Sequence, residues 1–86
     1  MKELEKFFKA LANRRRLSIV KFLKSQKEAS VGQIADSIHL SFKATSKHLN
    51  ILAHVDLVEK EQRSLTVFYR LADRQSPIIK IILTIL

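Results

Sequence analysis

Leu4, Phe7, Phe8 and Leu11 recur at i, i+3, i+4 and i+7, a spacing that places all four on one face of a helix over residues 2–11. Asn13 follows, and its short side chain is suited to accept from a free amide of the next turn. A second helix is therefore predicted over about residues 14–25, with Leu17, Ile19, Val20, Phe22 and Leu23 as its apolar stripe. The polar stretch 25–30 is expected to be its exit loop. Ser30 is the next cap, and Val31, Ile34, Ala35 and Ile38 repeat the helical period over two turns. His39, Leu40 and Ser41 interrupt that short helix, and Ser41 caps a longer one running to about His54.

Beyond Asp56 the pattern changes. Residues 57–61 and 65–71 are rich in β-branched and aromatic side chains, and Gln62, Arg63 and Ser64 separate them, which predicts a hairpin. Ser76-Pro77 opens a closing helix, with proline in the first turn where its missing amide costs nothing. The predicted order is α1-α2-α3-α4-β-β-α5, mainly α with a small β-hairpin. One Gly, one Pro, no repeat and no low-complexity tract point to a single domain over residues 1–86.

A short helix, a tight turn and a longer helix form a helix-turn-helix, in which the second helix enters the DNA major groove. Projected at the helical period, the fourth helix puts Thr45, His48, Leu49, Leu52 and Val55 on one side. Lys43, Ser46, Lys47, Asn50 and His54 fall on the other. That outer side carries no acid, whereas a merely solvated face usually mixes signs. Lysine neutralises phosphate or reaches guanine acceptors, serine bonds to either, and asparagine pairs bidentately with adenine. Phe42 has two readings, contact with a thymine methyl or packing against α3 or the hairpin. The hairpin supplies Lys60, Arg63, Ser64 and Arg70 as candidate phosphate or minor-groove contacts, diluted by Glu59 and Glu61. An ordinary solvated hairpin is the alternative there.

Composition narrows the function classes. Sixteen Lys and Arg against eight Asp and Glu give +8, so polyanions are the expected partners, nucleic acid first and an anionic membrane second. The excess is spread along the chain, +5 over residues 1–40 (9 basic, 4 acidic) and +3 over residues 41–86 (7 basic, 4 acidic). Arg14, Arg15 and Arg16 open the second helix, where the helix dipole disfavours cations. Phosphate contact or a structural ion pair is needed to hold them there. Arg16 is assigned to an ion pair with Glu3, Glu5 or Asp36; Arg14 and Arg15 stay open between the two.

With 86 residues the chain buries too little surface for a large catalytic cavity. The absence of Cys excludes disulfides, thiolate metal sites and cysteine nucleophiles, and is compatible with a reducing cytoplasm, the expected location. No nucleophile elbow, phosphate loop or usefully spaced carboxylate pair occurs, so no catalytic residue and no cofactor is expected. His48 and His54 stand about 120° apart around their helix and His39 lies in a turn, so no metal site is expected. His48 is instead read as packed with a polar partner, and His54 as a surface group near phosphate. No signal peptide is indicated, and IIKIILTIL is far short of the roughly 20 residues of a membrane span.

The segments FFKALANRRRLSIVKFL, SVGQIADSIHLSFKATSKHLNILAHVDLV and VFYRL resemble the opening, the helix-turn-helix and the second wing strand of the ArsR family of winged-helix repressors. That resemblance implies a winged helix-turn-helix and a DNA-binding homodimer joined through its first and last helices. It also implies DNA contacts at Phe42, Lys43, Ser46 and Lys47 and a wing tip near Arg63 and Ser64. Asn50 and Lys60 join that set from the chemistry of their faces. Family members commonly carry Pro where Arg14 stands and Gly where His39, Asp56 and Ser64 stand. The thiolate pair that many relatives carry would fall around residues 30–36, and the chain has no Cys. The family's other common sensor, a His and carboxylate cluster on the final helix, has no counterpart in SPIIKIILTIL.

Seven aliphatics in the nine residues 78–86 exceed what a monomer leaves exposed. Leu4, Phe7, Phe8, Ile78, Ile79, Ile82, Leu83 and Leu86 are the expected dimer contacts, with burial of the last helix against α1 and α2 as the rival. The function expected is a sequence-specific DNA-binding repressor acting on an inverted repeat, with no inducer identifiable. The alternatives are a protein-contact winged helix or a binder of structured RNA.

Overall fold

Side-chain caps fix where three of the helices begin. A computed structural model of the protein describes residues 1–72 and 77–86, leaving out the Ile78 side chain. Asn13 Oδ1 accepts from the Arg16 amide at 3.1 Å and starts α2 (Arg14–Gln26) behind α1 (Lys2–Leu11). Ser30 and Gln33 exchange side-chain and backbone hydrogen bonds as a capping box that starts α3 (Val31–Ile38). Ser41 Oγ accepts from the Ala44 amide at 3.1 Å and starts α4 (Phe42–His54). The last helix, α5, is Pro77–Ile85; the expected role of Ser76 at its start lies outside the described residues.

The polar stretch after α2 is not simply a loop. Glu28–Ser30 forms a strand, β1, that pairs antiparallel with the hairpin. The hairpin strands are β2 (Val58–Arg63) and β3 (Thr66–Leu71), and the sheet order is β1-β3-β2. Arg63 pairs with Thr66, so the turn is Ser64-Leu65. Arg63 belongs to a strand, and Leu65, expected in the second strand, is the tip.

Three turns use a left-handed residue that is not glycine: His39 (φ 55°), Asp56 (φ 60°) and Ser64 (φ 58°). These are the positions where the family commonly carries Gly. His39 closes α3, its amide reaching the Ala35 and Asp36 carbonyls. Lys27 also has positive φ (70°) after α2, but with ψ −47° it lies outside the left-handed helical region. His and Asp tolerate the left-handed conformation better than most side chains.

Ile19, Val20, Leu23, Ile34, Leu49, Leu52 and Leu57 are essentially solvent-free and form one core shared by α2, α3, α4 and the start of the sheet. Thr45, on the inner side of α4, is buried there too, its hydroxyl without a hydrogen-bond partner among the described residues. The inner face of α4 is thus committed to the core, and its outer face is left to water.

Phe7 and Ile79 are buried in the same core, and Ile82, Leu83 and Leu86 pack against it. Within one chain, these expected dimer contacts are engaged by the core. Rotation of α5 directs Ile79, Ile82 and Leu83 inward, with Leu86 just beyond its end, and among the described residues its exposed apolar side chains are Ile81 (61% exposed) and Ile85 (77%), an i, i+4 pair. On α1, Leu4 and Phe8 remain exposed as expected. The Ile78 side chain lies outside the described residues.

Candidate nucleic-acid interface

Helix α4 presents Lys43, Lys47, Asn50 and His54 to solvent, with Ser46 half-buried. Thr45, Leu49 and Leu52 lie beneath in the core. No carboxylate occurs anywhere in α4. The helical projection therefore separates the two faces as the sequence predicts. Phe42 is 63% exposed at the first turn.

Two grooves flank this helix. A cleft of about 460 Å³ lies between its N-terminal end and the hairpin, and Phe42, Ser46, Lys60 and Leu65 line it together with Gly32 at the start of α3. Phe42 thus keeps both of its readings: it lines a cleft beside the hairpin and is mostly in water. The second groove lies between α4 and α1, where Lys47 and Asn50 face Lys6 and Lys9. Lys43 lines neither.

Carboxylates meet two of the wing's candidate cations. Arg63 Nη1 and Nη2 donate to both Glu28 carboxylate oxygens at 2.8 and 2.7 Å, and its guanidinium stacks 4.5 Å from the Phe68 ring centroid. Arg70 bridges Glu59 at 3.2 Å and Glu61 at 3.1 Å. Hydrogen bonds from Arg63 hold the Glu28 and Glu61 carboxyls below the usual range and raise the Arg63 pKa in return. Lys60 is exposed and has no ion-pair partner among the described residues. Ser64 is exposed at the turn, and its carbonyl accepts from Gln62 Nε2 at 3.2 Å. Leu65, at 96% exposure, is the projecting side chain.

The three arginines at the start of α2 divide. Arg15 Nη1 donates to the Ile38 carbonyl at 2.8 Å, tying α2 to the end of α3. Arg16 holds the chain together, but not by the expected ion pair. Its guanidinium donates to the Ala10 carbonyl, to the Lys9 carbonyl at 3.4 Å and to His48 Nδ1 at 3.2 Å. The unsatisfied carbonyls at the end of α1 are what a guanidinium is shaped to meet. His48 is accordingly a packed histidine with a polar partner.

Among the described residues no group of three His, Cys, Asp or Glu side chains is set for a metal ion, and no helix is long and apolar enough to cross a membrane.

A family model described as "Bacterial regulatory protein, arsR family" matches residues 13–60, more than half of the chain. The transcriptional activator HlyU of Vibrio cholerae is 40% identical over 67 residues, which make up 78% of this chain and 61% of HlyU. The match thus spans less than two thirds of that relative's length. The solved structure of reduced HlyU from Vibrio cholerae covers 98% of this chain and 84% of its own, with TM-score 0.83 at 34% identity. A solution structure from Mycobacterium bovis is described as a homodimeric winged helix-turn-helix DNA-binding domain of a possible ArsR-family transcriptional regulator. It gives TM-score 0.83 at 28% identity and covers 98% of this chain and 74% of its own.

Proposed function

Because the chain belongs to the ArsR family of bacterial regulatory proteins, we propose that it is a DNA-binding transcriptional regulator that works as a homodimer on an inverted-repeat operator. The observation that carries this reading is the outer face of α4, which offers Lys43, Ser46, Lys47 and Asn50 without an acid, beside a cleft that Lys60 and Phe42 share. Lysines steer and neutralise phosphate, while Asn50 and Ser46 have the donors and acceptors to read base edges. Lys60 adds a flanking phosphate contact. Arg63 holds the wing to β1 through Glu28, and Ser64 shapes the turn.

Two copies are needed because one reading helix covers only a half-site. Leu4 and Phe8 of α1 with Ile81 and Ile85 of α5 form the contact between copies, supported by their exposure and by the homodimeric relative. A two-fold arrangement sets the reading helices about one DNA turn, roughly 34 Å, apart. Regulation is by occupancy: a dimer seated over a promoter represses it. Such a regulator works on the chromosome, in the cytoplasm. No step of catalysis is involved.

Selection of bound duplexes from a random pool tests the reading. Enrichment of an inverted repeat with half-sites one turn apart supports it, and a pool that stays random overturns it.

A further inference from the structure

The groove between α1 and α4 has a composition that DNA contact alone does not require. It is an open groove of about 490 Å³, a volume within the roughly 300–1,000 Å³ of small-molecule sites. Its floor is apolar, made by Ala10, Ile51 and Val55, and Lys6, Lys9 and Lys47 stand on its rim. Among the described residues no carboxylate lines it and none of these three lysines has an ion-pair partner. Ile51 is a large aliphatic left 38% exposed beside Lys47 and Asn50, at the opposite edge of the outer face from Phe42.

We propose that this groove is an effector site for an amphipathic organic anion, a medium-chain carboxylate, whose binding excludes DNA from α4. Each part of the ligand answers one part of the site. A free phosphate would use the lysines and leave Ile51 wet; a neutral hydrocarbon would cover Ile51 and bring nothing to the lysines. A carboxylate with an aliphatic tail does both, removing apolar surface from water while its head lies among unpaired ammonium groups. Lys47 and Asn50 line the groove and also belong to the proposed DNA face, so the two ligands compete for the same side chains, and each must weaken the other to the same degree. This coupling rests on the DNA-binding reading; the site itself does not.

Dimerisation leaves the groove open. From Leu4 the helix turns by about 200° to Lys6 and about 140° to Lys9, so the lysine side of α1 is turned away from the exposed apolar stripe assigned to the second copy. Arg16 fixes the groove's end, since its guanidinium holds the Lys9 and Ala10 carbonyls and His48 at once.

The test is an amide chemical-shift titration of the ¹⁵N-labelled full chain with decanoate below its micelle concentration, first without DNA. Saturable shifts at Lys6, Ala10, Asn50, Ile51 and Val55 are expected, and both Ile51→Gln and the double change Lys6→Gln/Lys9→Gln should weaken binding about tenfold or more. Shifts confined to the Leu4–Phe8 stripe or to α5, equal shifts with inorganic phosphate or decanol, or an unchanged Ile51→Gln affinity overturn the site. A second titration adds decanoate to a preformed complex with a selected duplex. Release of the duplex by wild type but not by Ile51→Gln is expected, and a duplex that stays bound at saturating decanoate overturns the effector claim. A chain that binds decanoate in the groove but no duplex also overturns that claim, and the DNA-binding reading with it, while the first titration still reports on the site.

Discussion

Arg16 Nη1 lies 3.2 Å from Nδ1 of His48, and this contact fastens the start of α2 to the middle of α4. Arginine has only donors, so Nδ1 accepts and the imidazole is neutral with its proton on Nε2. Burial, with Arg16, Arg15 and Lys47 nearby, holds the His48 pKa below its ordinary 6.5.

A pH dependence of stability follows from that depressed value. The neutral form is the one the fold accommodates, so this contribution is fully present above 6.5 and is lost as pH falls from there through the lowered folded-state pKa. Urea unfolding measured at a series of pH values should show the decline, and His48→Gln should flatten it. A wild-type profile that is level across that window contradicts the assignment.

His39 and Asp56 hold left-handed backbone at φ 55° and 60°. That conformation costs an L-residue about 1–2 kcal/mol, and glycine's freedom in the unfolded chain offsets about 0.5–1 of it. His39→Gly and Asp56→Gly should therefore each stabilise the protein by roughly 0.5 kcal/mol. Thermal melts of the two variants check this, and a fall in midpoint would show that these side chains do more than tolerate the turn.

The wing separates two roles for arginine. Arg63 is engaged by Glu28 at 2.7 and 2.8 Å, so Arg63→Gln should change the salt dependence of duplex binding by much less than one phosphate contact. Releasing it from both carboxylate partners with Glu28→Gln/Glu61→Gln should steepen the log–log slope by about one. Binding isotherms over a range of salt read both, and a full unit lost on Arg63→Gln would make Arg63 a direct contact.

Much of this was legible in the sequence because it depends on local signals. Asn13, Ser30 and Ser41 act through side-chain caps that need only their own next turn, and the inner face of α4 follows from helical period. Strand β1 escaped because only Ala29 of its three residues is buried; a single apolar position makes no alternation, and the strand exists through its pairing with Phe68, Tyr69 and Arg70. The face of α5 was not readable either. With aliphatics all round, period assigns no inside, and only packing decides that Ile79 turns inward and Ile81 outward. Arg16 escaped for a related reason, since two of its three partners are backbone carbonyls, which carry no sequence signal.

The division on α5 gives opposite phenotypes. Ile79→Ala should destabilise the protomer by about 2–4 kcal/mol, a cavity in a packed core. Ile81→Glu with Ile85→Glu should leave the fold intact and shift the assembly to monomer in sedimentation velocity. A double variant that sediments like wild type contradicts the assigned contact.

The central claim, that the acid-free side of α4 grips duplex DNA, is tested most directly by affinity across a salt series for wild type and Lys43→Glu/Lys47→Glu. Wild-type log affinity should fall linearly with log salt at about 0.9 per phosphate neutralised, and the double variant should bind more weakly on every duplex with a slope shallower by about two. An affinity indifferent to salt, or a double variant that binds as tightly as wild type, contradicts it.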